Sequence, residues 1–458
     1  MNYIEEAKKR EPSLLQNLKE LVAIPSILDP STASEKAPFG QPIRQALDWM
    51  LKRAQDDGFK VIDVDGYAGA IIYGDHPETV SMLAHLDVVP VGEGWTKDPF
   101  GCDIQDGYIF GRGVGDDKGP CIAAYEALKM IRDSKLTLQR NIMLIVGCDE
   151  ESGMSCIEYF AEHGPKSDFG FVPDASFPVV YGEKDICVGK ISGRINSVIT
   201  SFTAGNRPNV VIGKAVASVA GEAKQALFNF YLASQHLTGS MVSDGKQTIY
   251  TVHGKNAHAS TPELGVNAAN HLLAFIGAAY DDDFALQAHQ LFNDYYGSGL
   301  GIRFNGAYMG PLTMNLGIVT ITDNEADLTI DIRYPSDYPT ETLLANIRKN
   351  LEASQTNLSL THSEISPGLF VKPDSFLVTS LMEAYQEITK DTFTPAMTMG
   401  GGTYARHYPN HVAFGMEFPT RSVPSFVGGF HELDEGVAIE NLVDACAIYA
   451  NALVKLAK

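Results

Sequence analysis

The chain has 458 residues and a formal charge of −21; single hydrophobic cores stop growing near ~250–300 residues, so more than one domain is expected. Its 45% hydrophobic and 20% charged residues are those of an ordinary globular protein, and the acidic excess argues against nucleic acid or an anionic membrane as partner, since phosphate binding needs clustered Lys and Arg. Six cysteines, none in a C-x-x-C pair, point to reduced thiols and a cytoplasmic location.

The opening "EEAKKREPSLLQNLKELVAI" has helical spacing at Leu14, Leu15, Leu18, Leu21 and Val22, and Pro25 ends it. It contains no apolar signal core, and no later run reaches ~18 uncharged apolar residues, so neither export nor a membrane span is expected. "GQPIRQALDWMLKRAQDDG" is a second amphipathic helix closed by Gly58. "FKVIDVDG" and "AGAIIYG" read as short strands, and "TVSMLAHLDVV" as a buried one. "KGPCIAAYEALKMIRDS" is a helix, "NIMLIVGCDEE" a buried strand, "GMSCIEYFAEHG" a helix and "DFGFVPDAS" a short strand. Near-continuous apolar strands alternating with helices argue for an α/β domain, its sheet mixed but mostly parallel, with helices on both faces.

The texture changes after about residue 186. "YTVHGKNAHASTPELGVNAANHLLAFIGAAY" reads as a strand, a loop and a helix, with Ser260, Pro262 and Glu263 forming a capping-box pattern at the helix start. "MNLGIVTITDNEADLTIDIRYP" is a pair of alternating strands, and "TETLLANIRKNLEA" a helix. "SPGLFVKPDS" looks like a linker before two last helices, "DSFLVTSLMEAYQEITK" and "ENLVDACAIYANALVKLA". The simplest parse is an α/β domain of residues 1–185 and 374–458, interrupted by an inserted α+β domain over 186–373.

Ligands of open parallel sheets bind beyond the carboxyl ends of the strands. Three expected strands end in ligand-type residues: His85 and Asp87, then Asp149, Glu150 and Glu151, then Asp174. Between the first two, "GRGVGDDKGP" places Asp116 and Asp117 just before a helix starting near Lys118. Any one of these acids is more often a helix cap or a surface partner. Several together repel unless a cation sits among them, and imidazole and carboxylate donors without thiolates suit zinc or manganese. No G-x-S-x-G elbow or G-x-x-x-x-G-K-[ST] phosphate loop is present.

"HLDVVP", "WTKDPFG", "GRGVGDDKGP", "CDEESG", "HGKNAHASTP", "DIRYP", "GGGTYAR" and "FHELDE" occur in this order. Together they resemble the M20 family of metallopeptidases, and most closely its bacterial PepV-like dipeptidases. The resemblance implies two divalent ions, zinc or manganese, in the split domain. It assigns His85 and Asp174 to one ion and Glu151 and His431 to the other, with Asp116 bridging them and a cis peptide bond leading to Asp117. Glu150 would be the general base, and Asp87 would hold the tautomer of His85. The inserted domain would be a lid. Its His258 would reach the reacting carbonyl, Arg333 would bind substrate, and His253 would be structural. Asn209 is the candidate for a further substrate contact, although Ile212 stands where the family usually has proline. Gly401, Gly402 and Thr403 would bring backbone close to the substrate, and Arg406 could meet a carboxylate.

The activity implied is hydrolysis of unblocked dipeptides by a monomer whose partners are small peptides. Deacylation of N-acyl amino acids and carboxypeptidase action are alternatives on the same scaffold. A metal-binding protein without turnover is a third; Glu150, an acid beside the ligands but not one of them, argues against it.

Overall fold

The computed structural model describes all residues, 1–458. The chain forms two compact units. One comprises Met1–Gly182, Phe370–Met397 and Gly402–Lys458; the other comprises Glu183–Leu369 and Thr398–Gly401.

The first unit is built on a mixed sheet. Strands Asn141–Gly147, Thr79–His85, Phe169–Val172 and His411–Ala413 lie side by side and all run parallel. Ala68–Tyr73 and Lys60–Val64 extend the first edge as antiparallel strands. Residues 80–85 and 142–147 are buried without interruption, so side chains pointing to either side of the sheet are covered. This is why these strands read as continuous apolar runs rather than as alternating ones. Helices Lys118–Ser134 and Ile439–Ala457 pack against each other and against the two central strands. Gln41–Asp56 lies on the antiparallel edge, where Leu47 and Leu51 fill the space that a side chain at Gly69 would need.

Register sets where the polar residues emerge. His85 pairs with Gly147, and Met82 with Phe171. The three strands therefore end at one rim, and Asp87, Glu150, Glu151 and Asp174 follow just beyond it. The loop before helix Lys118–Ser134 is held from below by Lys118. Its buried Nζ donates to the carbonyls of Leu21, at 3.2 Å, and Ile24, at 2.7 Å, at and just beyond the C-terminal end of helix Tyr3–Val22.

The short strand His411–Ala413 carries a fully buried histidine. His411 Nδ1 lies 2.8 Å from the Pro409 carbonyl, which can only accept, so Nδ1 carries the proton. Nε2 then accepts from the hydroxyl of Ser81, at 2.8 Å, or Ser167, at 3.2 Å. Burial pushes its pKa down to about 4, so the folded protein keeps the ring neutral where an unfolded chain would protonate it. The stabilisation is complete above pH ~6.5 and is lost as the pH falls toward 4, worth about 3 kcal/mol at most. The urea midpoint of wild type should therefore fall more steeply than that of His411→Gln between pH 6.5 and 4. Parallel curves would mean that His411 takes up its proton equally in both states.

The second unit is an eight-stranded sheet, antiparallel throughout, in the order Thr238–Ser243, Gln247–His253, Lys214–Ala220, Ile199–Ala204, Thr313–Thr322, Glu325–Tyr334, Asp185–Arg194 and Ser359–Ser366. Alternating burial along Gln247–His253 matches a sheet with one covered face, and helix Ala268–Tyr280 is among the elements that cover it. This helix corrects one expectation. Ser260 and Glu263 do not cap it; they flank or join a short 3-10 turn at Pro262–Leu264. The helix starts later, where the Asn267 side chain accepts from the N–H groups of Ala269 and Asn270. No helix is long and apolar enough to cross a membrane.

Candidate active site

The rim of the parallel strands gathers imidazoles and carboxylates from five segments of the chain. His85 Nε2 lies 2.9 Å from Asp116 Oδ1 and 3.7 Å from Asp174 Oδ2. His431 Nε2 lies 3.1 Å from Asp116 Oδ2 and 3.0 Å from Glu151 Oε1. Two sets of three potential donor atoms result, His85 with Asp116 and Asp174, and Asp116 with Glu151 and His431; within each set the atoms lie no more than 4.8 Å apart. Asp116 belongs to both, one oxygen turned to each imidazole. The peptide bond from Asp116 to Asp117 is cis, and the Asp117 carboxylate accepts the His85 backbone N–H at 3.0 Å.

The orientation of His85 suits a cation. Its Nδ1 lies 3.0 Å from the Asp87 carbonyl oxygen, an acceptor only, so Nδ1 donates and Nε2 faces the acids. The Asp87 carboxylate also approaches this ring, its Oδ1 lying 3.5 Å from Nδ1, and its two oxygens accept the N–H groups of Glu150, at 3.1 Å, and Glu151, at 3.0 Å. Asp87 thus ties one strand end to the next. Asp149 serves its own loop and helix, accepting from the Ser155 N–H at 3.1 Å and the Ser155 hydroxyl at 2.6 Å.

The electrostatics follow from an excess of acids over imidazoles. Burial opposes a charge on His85, but hydrogen bonding to Asp116 and Asp87 outweighs it and holds the pKa well above the ordinary value. Hydrogen bonds to Asp116 and Glu151 push His431 up to about 10. Burial also opposes the charge on Asp116, yet the two imidazoles keep its carboxyl well below the usual range. Glu150 and Asp117 shift the other way: burial first, then the Asp174 charge, raises both. A cluster that so stabilises positive charge, with oxygen and imidazole donors and no thiolate, fits divalent metal ions.

The second unit brings together most of the residues expected to meet substrate. His258 forms an isolated bridge with Val210, and the Asn209 carbonyl accepts the Ala259 N–H at 2.9 Å, so Asn209 and His258 sit on adjoining segments. His258 Nδ1 accepts the Ser260 backbone N–H at 3.2 Å and lies 2.7 Å from the Ser260 hydroxyl. A nitrogen that accepts from an amide is unprotonated, so in the neutral ring the proton is on Nε2. Arg333 is buried and forks onto Asp331, with Nε to Oδ1 at 2.6 Å and Nη2 to Oδ2 at 3.0 Å. Its Nη1 donates to the Gly400 carbonyl at 3.0 Å. Gly400 in turn packs on Ser260, whose Cβ would lie 2.7 Å from a Cβ at Gly400. Gly401 belongs to the same unit. Gly402, Thr403 and Arg406 belong to the first. There Thr403 Oγ1 accepts the Ala405 N–H at 3.1 Å, and the Arg406 guanidinium covers Gly402, its Cζ 2.3 Å from where a Cβ would be. His253 is exposed on its strand.

Comparison with known proteins decides the family. Residues 82–455 match peptidase family M20/M25/M40. A protein of Staphylococcus saprophyticus named "Putative dipeptidase" is 34% identical over 470 aligned positions, which cover 99% of this chain and 98% of the relative. The chain belongs to the M20 peptidase family.

Solved structures agree on the fold of this M20 protein. Human carnosine dipeptidase 1 superposes with a TM-score of 0.58 at 15% identity, covering 99% of this chain and 98% of that one. An M20 family metallo-carboxypeptidase from Sulfolobus solfataricus gives a TM-score of 0.56 at 16% identity, covering 97% and 98%. The chain is therefore an α/β M20 metallopeptidase, and its fold alone does not choose between dipeptides and other substrates.

Proposed function

We propose that this M20 peptidase is a dipeptidase that holds two divalent ions, zinc or manganese, and hydrolyses unblocked dipeptides. The sharing of Asp116 between two donor sets carries the two-ion reading. His85 and Asp174 would hold one ion, Glu151 and His431 the other, and Asp116 both. Such ions, when bound, lower the pKa of water and polarise a carbonyl.

The remaining chemistry falls to side chains. Glu150 lies outside both donor sets, while Asp87 grips its backbone N–H; it would take the proton from the attacking water and hand it to the leaving amine. His258, its Nε2–H fixed by Ser260, would donate to the developing oxyanion. Of the five guanidinium N–H groups of an arginine, Asp331 and Gly400 engage three in Arg333; the others are suited to a substrate carboxylate. Asn209, Gly401, Gly402, Thr403 and Arg406 would complete the substrate contacts. The relative named as a dipeptidase supports the choice of substrate.

The test is a panel of dipeptides, tripeptides, N-acetylated dipeptides and N-acyl amino acids, assayed with zinc and with manganese after chelation. Free dipeptides should turn over, and N-acetylation should abolish their cleavage. Preference for N-acyl amino acids would make the protein a deacylase; trimming of longer peptides from the carboxyl end would make it a carboxypeptidase.

A further inference from the structure

We propose that Glu435 is a positioning residue that locks the Asp116 loop to the His431 loop and so sets the geometry of the second donor set. This rests on the two-ion reading above. Glu435 is fully buried, and its Oε1 accepts three backbone N–H groups of one loop, those of Gly113 at 3.1 Å, Gly115 at 3.0 Å and Asp116 at 3.3 Å. Its Oε2 lies 2.5 Å from Arg112 Nη1, so the carboxylate meets a cation on its other side. The backbone repeats the link: Gly111 N–H donates to the Glu435 carbonyl at 3.0 Å, and Arg112 Nη2 to the Glu432 carbonyl at 3.3 Å.

The two loops also interlock sterically. A Cβ at Gly115 would come within 2.4 Å of the Phe430 ring, so only glycine lets the residue before His431 seat against the residue before Asp116. His431 itself has a left-handed backbone, φ 62°, which is uncommon for a non-glycine residue. Gly428 accepts from Gly436 at 3.2 Å and donates to Asp434 at 2.9 Å, closing the His431 loop on itself. Glu435 is thus the polar joint between a bridging acid and a ligand 315 positions away in sequence (Asp116 and His431). Loss of its charge leaves Arg112 buried without its partner, and loss of its oxygen leaves three amides unsatisfied.

The joint should act more on one ion than on the other. Both donor sets contain Asp116, but only the Asp116, Glu151 and His431 set spans the two loops that Glu435 joins. Chelated wild type, Glu435→Gln and Glu435→Ala would be titrated with zinc by calorimetry, alongside metal-free melting curves. Substitution of residues that orient metal ligands typically costs about 10–100-fold in affinity. Glu435→Gln keeps an oxygen for the amides and should weaken the second zinc by about 10-fold; Glu435→Ala should approach about 100-fold. The first zinc should stay near wild-type affinity, and turnover of Glu435→Gln should recover at high zinc.

Two ions at wild-type affinity in Glu435→Gln and in Glu435→Ala would overturn the proposal. So would an equal loss at both sites in proportion to a lowered melting temperature, which is the mark of a general packing role. If Glu435→Ala does not fold, Glu435→Gln alone decides. Wild type that binds a single zinc would instead overturn the two-ion reading, a result distinct from either of these.

Discussion

Glu150→Gln should lower kcat by about 10²–10⁴-fold, the usual contribution of a general base, and leave the metal content unchanged. The side chain stands among the acids of the rim but is not one of the donors that converge. Glutamine keeps the volume and the backbone N–H that Asp87 holds at 3.1 Å, so the loop should not move. What it removes is the site that takes up a proton, a task performed in the transition state. For that reason kcat and kcat/KM should fall together while KM changes little. Glu151→Ala makes the opposite case from the next position. Glu151 Oε1 lies 3.0 Å from His431 Nε2, and its loss should weaken one ion and be partly rescued by added metal. Metal analysis and steady-state kinetics on the two variants separate the roles. If Glu150→Gln loses metal and regains turnover at high metal, the two assignments are reversed.

His258→Ala should cost about 10²–10³-fold in kcat, the effect of removing one oxyanion donor. The argument rests on the tautomer. The Ser260 N–H occupies Nδ1, which leaves Nε2–H as the donor in a neutral ring. A ring held in that state can stabilise a developing negative charge without itself changing protonation. Metal content should be unchanged, and KM should move much less than kcat. His253→Ala, on an exposed strand position of the same unit, is the control and should leave kcat near wild type. If His258 serves only the local turn near Ser260, His258→Ala should melt earlier yet turn over normally at low temperature.

The parts of this protein that were legible in its sequence are those where one physical cause dominates. Buried parallel strands must be apolar on both faces, so 79–85 and 141–147 announced themselves, and the ligand-type residues just after them marked the rim. The strand His411–Ala413 did not, because three residues carry no period and its histidine is buried by two serines that lie far away in the chain. At Ser260 a capping-box pattern misled, because the hydroxyl serves His258 and the helix cap belongs to Asn267. The antiparallel strand Asp185–Arg194 went unread since Ile186 and Val188 stand on its less buried face and Gly189 on its buried one, which breaks the alternation. The hold of Asp87 on two backbone amides, and the whole role of Glu435, depend on loops that meet only after folding. An acid in "FHELDE" has no spacing that would show which amides it will accept.

The central claim is a pair of ions sharing Asp116, and titrating the chelated wild-type protein with zinc or manganese tests it most directly, with dipeptide turnover followed at every addition. Two equivalents per chain should bind, and turnover should reach its full value only as the second is taken up. Saturation at one equivalent with full activity would contradict the account.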